Sequence, residues 1–257
     1  MRRLEALNAV VKEAGEILKE GYHARKKVRF KGSVDLVTDY DLKIERFLRE
    51  RLPGIFPEYT IIGEESTERF ELAERSIIID PIDGTTNFIH QIPFVAISVG
   101  IWREGVPQMG IVYNPILNEL FCAQKGAGAT LNKEKIHVTQ TDRLINALIA
   151  TGFPYTKVEK GDDFRWVLGC MERLLPQTRD MRRLGSAAMD LCYTAKGVFD
   201  GFYEINLKPW DTAAGLLIVE EAGGKISNQK GEPYTFEDRI IVATNGRIHK
   251  PLVEALS

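Results

Sequence analysis

The sequence predicts a two-lobed α/β protein, and three observations carry that reading. Apolar residues recur at helical 3–4 spacing at the start of the chain, at Leu4, Leu7, Val11, Ala14 and Leu18. From residue 60 the pattern changes to short β-rich runs separated by turn formers such as "REG" and "NPILN", which suits hairpins and a meander. Beyond residue 145 strand-like and helix-like segments alternate. With no repeat, low-complexity segment or Pro/Ser-rich linker, a single unit is expected, with lobes of about 1–145 and 146–257 that join near residues 140 to 150.

The first helix should end near Gly21, and a second should run from Asp41 to Leu52, burying Ile44, Phe47 and Leu48 before the Pro53-Gly54 stop. "TII", "SIIID", "FVAISVGIW", "GVPQMGIVY" and "ELFCAQ" follow as strands, with "KGAGATLN" read as punctuation between them. Then come a strand in "NALIATG", a helix around 162–175, a strand in "TRDMRRL" and a helix from Ser186. A strand in "VFDGFYEI", a helix from Asp211, a strand in "RIIVAT" and a closing helix complete the chain.

Composition narrows the function classes. A chain of 257 residues with 44% hydrophobic and 27% charged residues can bury a core without disulfides or structural zinc. A net charge of -2 argues against a dedicated electrostatic grip on nucleic acid. The basic stretch "HARKKVRFK" at residues 23–31 is either a solvated helix end and loop or a place where RNA could touch. Cys122, Cys170 and Cys192 form no CxxC pair and read as reduced thiols. No apolar run approaches the ~18 residues of a membrane span, and the charged N-terminus lacks an apolar signal core, so a cytoplasmic protein is expected.

The chemistry concentrates in "SIIIDPIDGTTNF", residues 76–88. An apolar strand ending in Asp80-Pro81-Ile82-Asp83 places two carboxylates where open α/β sheets keep their ligands. Gly84 permits a tight turn, and Thr85, Thr86 and Asn87 can open a helix whose free N–H groups hold an anion. Two unit charges ~4 Å apart repel by about 4 kcal/mol at an effective dielectric of ~20. Such a pair needs a shared proton or a cation; the alternative is a solvated strand end and turn.

Two further stretches bear on that choice. "IIGEES" places Glu64 after another short strand, and "KPWDTAAGLLIVEEAGG" places Asp211 just before an apolar helix, where an ordinary N-cap would also sit. Brought together, Glu64, Asp80, Asp83 and Asp211 would carry four negative charges, which two divalent cations balance. All-oxygen ligation without a His or Cys cluster points to a hard ion, Mg²⁺ first and Mn²⁺ second, and to metal-assisted phosphoryl transfer.

These stretches resemble the inositol monophosphatase family of Mg²⁺-dependent, lithium-sensitive phosphatases. "DPIDGTTNF", "WDTAAG", "GEES" and "VDLVTDYD" match its motifs in order, with support from "GIVYNPILNELFCAQKGAGATLN", "ATGFPY" and "RRLGSAA". The resemblance implies a layered α-β-α-β-α sandwich of the sugar phosphatase type, with an antiparallel sheet in the first lobe and a mixed one in the second. It implies that Glu64, Asp80 and the backbone carbonyl of Ile82 hold one metal, that Asp80, Asp83 and Asp211 hold another, and that a weaker third ion assembles near Glu64 with the substrate. Asp83, Gly84 and Thr85 would bind phosphate, and Thr85 with Asp41 and Glu64 would orient the attacking water; Asp41 is alternatively only a helix cap.

On the substrate side, Gly185, Ser186, Ala187 and Glu204 match the sugar pocket, where the glutamate accepts ring hydroxyls. Hydrolysis of myo-inositol monophosphate by metal-activated water is the implied activity, with lithium inhibitory and a homodimer as the assembly. Fructose 1,6-bisphosphate and 3′-phosphoadenosine 5′-phosphate are competing substrates, as Arg182 and Arg183 could grip a distal phosphate that Glu204 would repel. A regulatory role with RNA or the transcription machinery is the reading from another class. His90 follows the motif but has no partner cluster and reads as structural.

Overall fold

The structure, a computed structural model, describes residues 2–24, 27–30 and 36–257. Helix α1 (Arg2–His23) buries Leu7, Val11, Ala14 and Leu18, the stripe that its periodicity announces. A hairpin of β1 (Val28–Phe30) and β2 (Leu36–Thr38) leads into α2 (Asp39–Arg51). Next come β3 (Thr60–Gly63), β4 (Arg75–Asp83) and the short α3 (Thr85–His90). The meander follows as β5 (Ala96–Arg103), β6 (Val106–Asn114), β7 (Glu119–Gln124), β8 (Gly128–Leu131) and β9 (Glu134–Lys135).

The second half alternates as expected. It runs through β10 (Leu148–Thr151), α4 (Asp162–Leu174), β11 (Asp180–Arg182), α5 (Ala187–Ala195) and β12 (Gly201–Ile205). Helices α6 (Pro209–Thr212) and α7 (Gly215–Glu221), strands β13 (Lys225–Ser227) and β14 (Ile240–Thr244), and α8 (His249–Leu256) complete it.

Strands β3 to β9 form one sheet in sequence order, and a second has the order β11-β10-β12-β14-β13. Side-chain alternation along β4 shows how the layers stack. Ile77 and Ile79 join a core with α1 and α2, while Ile78 points the other way into a core with Leu191 of α5 and Leu217 of α7. That middle core continues to Phe202 and Ile241 of the second sheet. The opposite face of the second sheet, through Ile149, Tyr203 and Val242, packs on Val167 of α4 and Leu252 of α8. Helix, sheet, helix, sheet and helix layers therefore follow one another, as the resemblance implies.

The structure also differs from the sequence reading in detail. The first sheet is antiparallel except for its edge, where β3 runs parallel to β4. "KGAGATLN" is not only punctuation, since it contains β8, paired to β7 around the Gly126-containing turn. In the basic stretch, Arg25, Lys26 and Lys31 lie outside the described residues, but Val28–Phe30 is a strand rather than a loop. Val34 and Asp35 of "VDLVTDYD" likewise lie outside the described residues.

Candidate active site

The odd spacing of Asp80 and Asp83 is resolved by a bulge. In a regular strand, residues three apart point to opposite faces. Here Asp80 pairs with Ser98 and the next pair is Asp83 with Ala96, so Pro81 and Ile82 of β4 oppose the single residue Ile97 of β5. The extra residue brings both carboxylates to one face, and Pro81 adds no backbone donor of its own to the irregular stretch. Asp211 arrives from α6, where Lys208 N donates to its Oδ2 at 2.6 Å. One carboxylate oxygen each from Asp80, Asp83 and Asp211 lies within 4.8 Å of the others.

This trio is under electrostatic stress. Asp80 is 1% exposed, and its Oδ1 has no hydrogen-bond partner. Burial first, then the charges of Glu64, Asp83 and Asp211, hold its carboxyl well above the usual range. Burial and Asp83 do the same to Asp211. Asp83 is pushed up only to about 6, because burial is opposed at its Oδ2 by Ser186 Oγ and Ala188 N, both donating at 2.6 Å. An orphaned buried carboxylate oxygen among repelling acids is a donor set that can hold a metal ion.

Two predicted residues flank the trio. Glu64 follows the end of β3, where its N–H donates to Ile79 O at 3.1 Å. It is not a member of the tight trio, yet its charge acts on Asp41, Asp80, Asp83 and Asp211. Asp41 is fully buried in the first turn of α2, which begins two residues earlier than its sequence suggests because Thr38 is the N-cap. Thr38 N and Oγ1 donate to Asp41 Oδ2 at 2.8 and 2.5 Å, and burial lifts its carboxyl to about 6. Asp41 is thus the far member of a capping box rather than the cap. Its other oxygen faces Thr85, whose Oγ1 lies 3.2 Å from Asp41 Oδ1 and 3.0 Å from the Ile82 carbonyl oxygen.

The two sheet systems meet at the motif's glycine. Gly84 has φ of 89°, and a β-carbon there would come within 3.0 Å of Phe94 O and 3.2 Å of Gly185 O. Asn87 Nδ2 ties the same region together by donating to Phe94 O and Leu184 O, both at 2.8 Å. A cavity of about 280 Å³ opens at this junction. Asp83, Gly84, Thr85 and Asp211 line it together with Gly185, Ser186, Ala187 and Glu204. Burial pushes the Glu204 carboxyl up to about 8 against the nearby charge of Arg183 and, more weakly, of Lys157.

Further residues complete the lining. Gly152 leaves room for Glu204, since a β-carbon there would overlap that carboxyl group. Lys157 sits in the 3₁₀ segment Tyr155–Glu159, and only its place just after "ATGFPY" marks it. Arg183 lines the cavity and lies over the Phe153 ring at 5.2 Å, but Arg182 is paired with Asp180 at 2.6 Å instead. His90 is exposed at the end of α3 and does not line the cavity.

The profile of the inositol monophosphatase family matches residues 2–257. Inositol monophosphatase 3 of Solanum lycopersicum is 40% identical over 259 residues, covering 99% of this chain and 96% of that protein. A putative Nus factor SuhB of Neisseria meningitidis serogroup B is 42% identical over 224 residues, covering 87% and 85%. The solved structure of the extragenic suppressor protein suhB from Bartonella henselae superposes with a TM-score of 0.93 at 36% identity, covering 100% of this chain and 99% of that one.

Proposed function

The chain belongs to the inositol monophosphatase family of phosphatases, and from that premise we propose that it is a Mg²⁺-dependent phosphomonoesterase acting on myo-inositol monophosphate. The observation that carries the metal reading is Asp80, whose Oδ1 is buried and unpartnered and which places a carboxylate oxygen within 4.8 Å of those of two further acids. Asp80, Asp83, Asp211, Glu64 and the Ile82 carbonyl would hold two Mg²⁺ ions, with a third near Glu64; Mn²⁺ could substitute. When bound, these ions neutralise charge on phosphate and lower the pKa of water.

The chain's own groups do the rest. Thr85 Oγ1 carries one proton and has two acceptors for it, Asp41 and the Ile82 carbonyl. Its lone pairs are therefore free to accept a hydrogen bond from water and orient it toward phosphorus. Gly84 and Thr85 open α3 with backbone N–H groups that α-helical bonding leaves free, suited to phosphate oxygens. Glu204, which lines the same cavity, would accept hydrogen bonds from substrate hydroxyls. Where ionised, its carboxylate also disfavours a second phosphate, which supports a monophosphate over fructose 1,6-bisphosphate or 3′-phosphoadenosine 5′-phosphate.

The test is phosphate release from inositol 1-phosphate, those two competitors and NADP, with Asp83→Asn and Asp211→Asn alongside. Preference for inositol 1-phosphate, lost in both variants while the fold survives, is the expected result. Substantial turnover in either variant would refute the shared-metal assignment. A cytoplasmic homodimer is part of this proposal; no helix among the described residues is long and apolar enough to cross a membrane.

A second reading rests on the relatives named Nus factor SuhB, which suggest a role with the transcription machinery. Replacing the lysines and arginines of residues 23–31 tests it. Unchanged RNA affinity, or none in the parent, would remove it.

A further inference from the structure

Glu45 lies on α2 one turn beyond Asp41 and is 3% exposed. A buried carboxylate is costly unless its oxygens are satisfied, and an apolar side chain of similar size would fill the space without that cost. Arg49 of the same helix supplies one contact, Nε to Glu45 Oε1 at 3.1 Å. The remaining bonds leave the helix. Glu65 N donates to Glu45 Oε2 at 2.8 Å, and Ser66 Oγ, itself bonded to Arg49, donates to Oε1.

The other side of Glu64 is fixed by the same group. Gly63 carries no β-carbon, and one placed there would overlap the Glu45 carboxyl group. Both chain neighbours of Glu64 are thus set by Glu45: Gly63 by contact, Glu65 through its N–H. We propose that Glu45 is a positioning residue of the metal centre, a clasp that fixes the Gly63–Ser66 turn so that the Glu64 carboxylate stands ready beside Asp80. One turn of α2 then serves two parts of the site, with Asp41 reaching Thr85 and Glu45 holding the turn that bears Glu64. This inference rests on the metal role proposed for Glu64.

Two substitutions should break the clasp by independent routes. Glu45→Gln removes the charge and one acceptor, whereas Gly63→Ala leaves Glu45 intact but pushes its flexible end away. Calorimetric titration with Mn²⁺ gives metal affinity directly, Mg²⁺ titration of phosphate release gives the concentration for half-maximal rate, and thermal unfolding in EDTA reports the fold. Loss of groups that orient metal ligands costs about 10- to 100-fold in affinity. Both variants should weaken Mn²⁺ binding by about that factor and recover most of their kcat at saturating Mg²⁺. Parental Mn²⁺ affinity in both would overturn the clasp, even with a lower melting temperature, since Glu45 would then serve only the fold.

Should Glu45→Gln fail to fold, Ser66→Ala removes one clasp bond without disturbing a buried charge. It should weaken Mn²⁺ binding several-fold, and unchanged affinity there would also overturn the clasp. Glu64→Gln separates the two readings. Parental metal affinity and turnover in Glu64→Gln would refute the metal role of Glu64 itself. Loss in Glu64→Gln with parental behaviour in the clasp variants would refute Glu45 alone.

Discussion

Replacing Asp80 with asparagine should move stability and activity in opposite directions. At 4.8 Å, each pair of full charges in the trio repels by about 3.5 kcal/mol at an effective dielectric of ~20, or about 7 kcal/mol from Asp83 and Asp211 together. The metal-free protein has a cheaper way out, which is to keep one carboxyl protonated. For a group with an ordinary value of 3.8 this costs about 4 kcal/mol at pH 7, at 1.36 kcal/mol per pH unit. That is the ceiling on what Asp80→Asn can recover. The new amide is buried without partners of its own, which takes back about 1–3 kcal/mol.

Asp80→Asn should therefore be about 1–3 kcal/mol more stable than the parent in EDTA at pH 7. For a chain of this size that corresponds to roughly 2–4 °C in Tm per kcal/mol. Saturating Mg²⁺ should close or invert the gap, because only the parent gains the binding contribution, about 2.7 kcal/mol at a hundredfold excess over Kd. Urea unfolding with EDTA and with Mg²⁺, paired with a phosphate-release assay, measures both effects. An Asp80→Asn variant that unfolds more easily in EDTA and gains as much from Mg²⁺ as the parent would refute the picture of a repelling cluster relieved by a cation.

Three other outcomes can be checked. Asp41 rises from 3.8 to about 6 on folding, so between those pH values the folded chain binds more protons than the unfolded one. Stability in EDTA should fall as pH rises through that window, by at most about 3 kcal/mol from this group, and the fall should shrink in Asp41→Asn; urea midpoints at pH 4.5 and 7 decide it. LiCl titrated at fixed Mg²⁺ should inhibit by displacing the weak Mg²⁺ ion, and indifference at roughly tens of millimolar would mark a divergent member. Assayed above pH 8, where the Glu204 carboxyl is ionised, Glu204→Gln should raise turnover of fructose 1,6-bisphosphate relative to inositol 1-phosphate, because it leaves the charges of Arg183 and Lys157 uncompensated beside the cavity; an unchanged ratio there would argue against Glu204 as the discriminating group.

What could be read from the sequence follows from how far apart the cooperating residues lie. In "DPIDGTTNF" the strand end, bulge, turn and helix start occupy consecutive positions, so local chemistry exposes Asp80, Asp83, Gly84 and Thr85 together. The layers were not legible in that way. Ile77, Ile78 and Ile79 form an unbroken apolar run, and such a run does not say that Ile78 faces one core and its neighbours another. The three-residue strands β1, β2 and β13 are too short for periodicity to register. The role of Asp41 was ambiguous for a different reason. Acidic residues serve caps and sites alike, and only the Thr38 cap and the long-range approach of Thr85 separate the two. Lys157 carried no local mark of its own, and Gly152 only its place in "ATGFPY", because what each does depends on Glu204, about fifty positions away in the sequence.

The cluster also links the two halves of the chain. Asp80 and Asp83 come from the first sheet, but Asp83 Oδ2 is held by Ser186 and Ala188 of the second half, and Asp211 belongs to that half entirely. Bringing the halves together brings like charges together, so the trio opposes docking in the absence of a cation. Contacts that carry no charge hold the seam against this. Asn87 bonds across to Leu184, and the middle core runs unbroken from Ile78 to Phe202. A cation that relieves the repulsion at the trio must, by linkage, strengthen docking by the same free energy. Metal binding and the fit between the halves are therefore coupled, and substitutions along the seam at Asn87 or Ser186 should act on both.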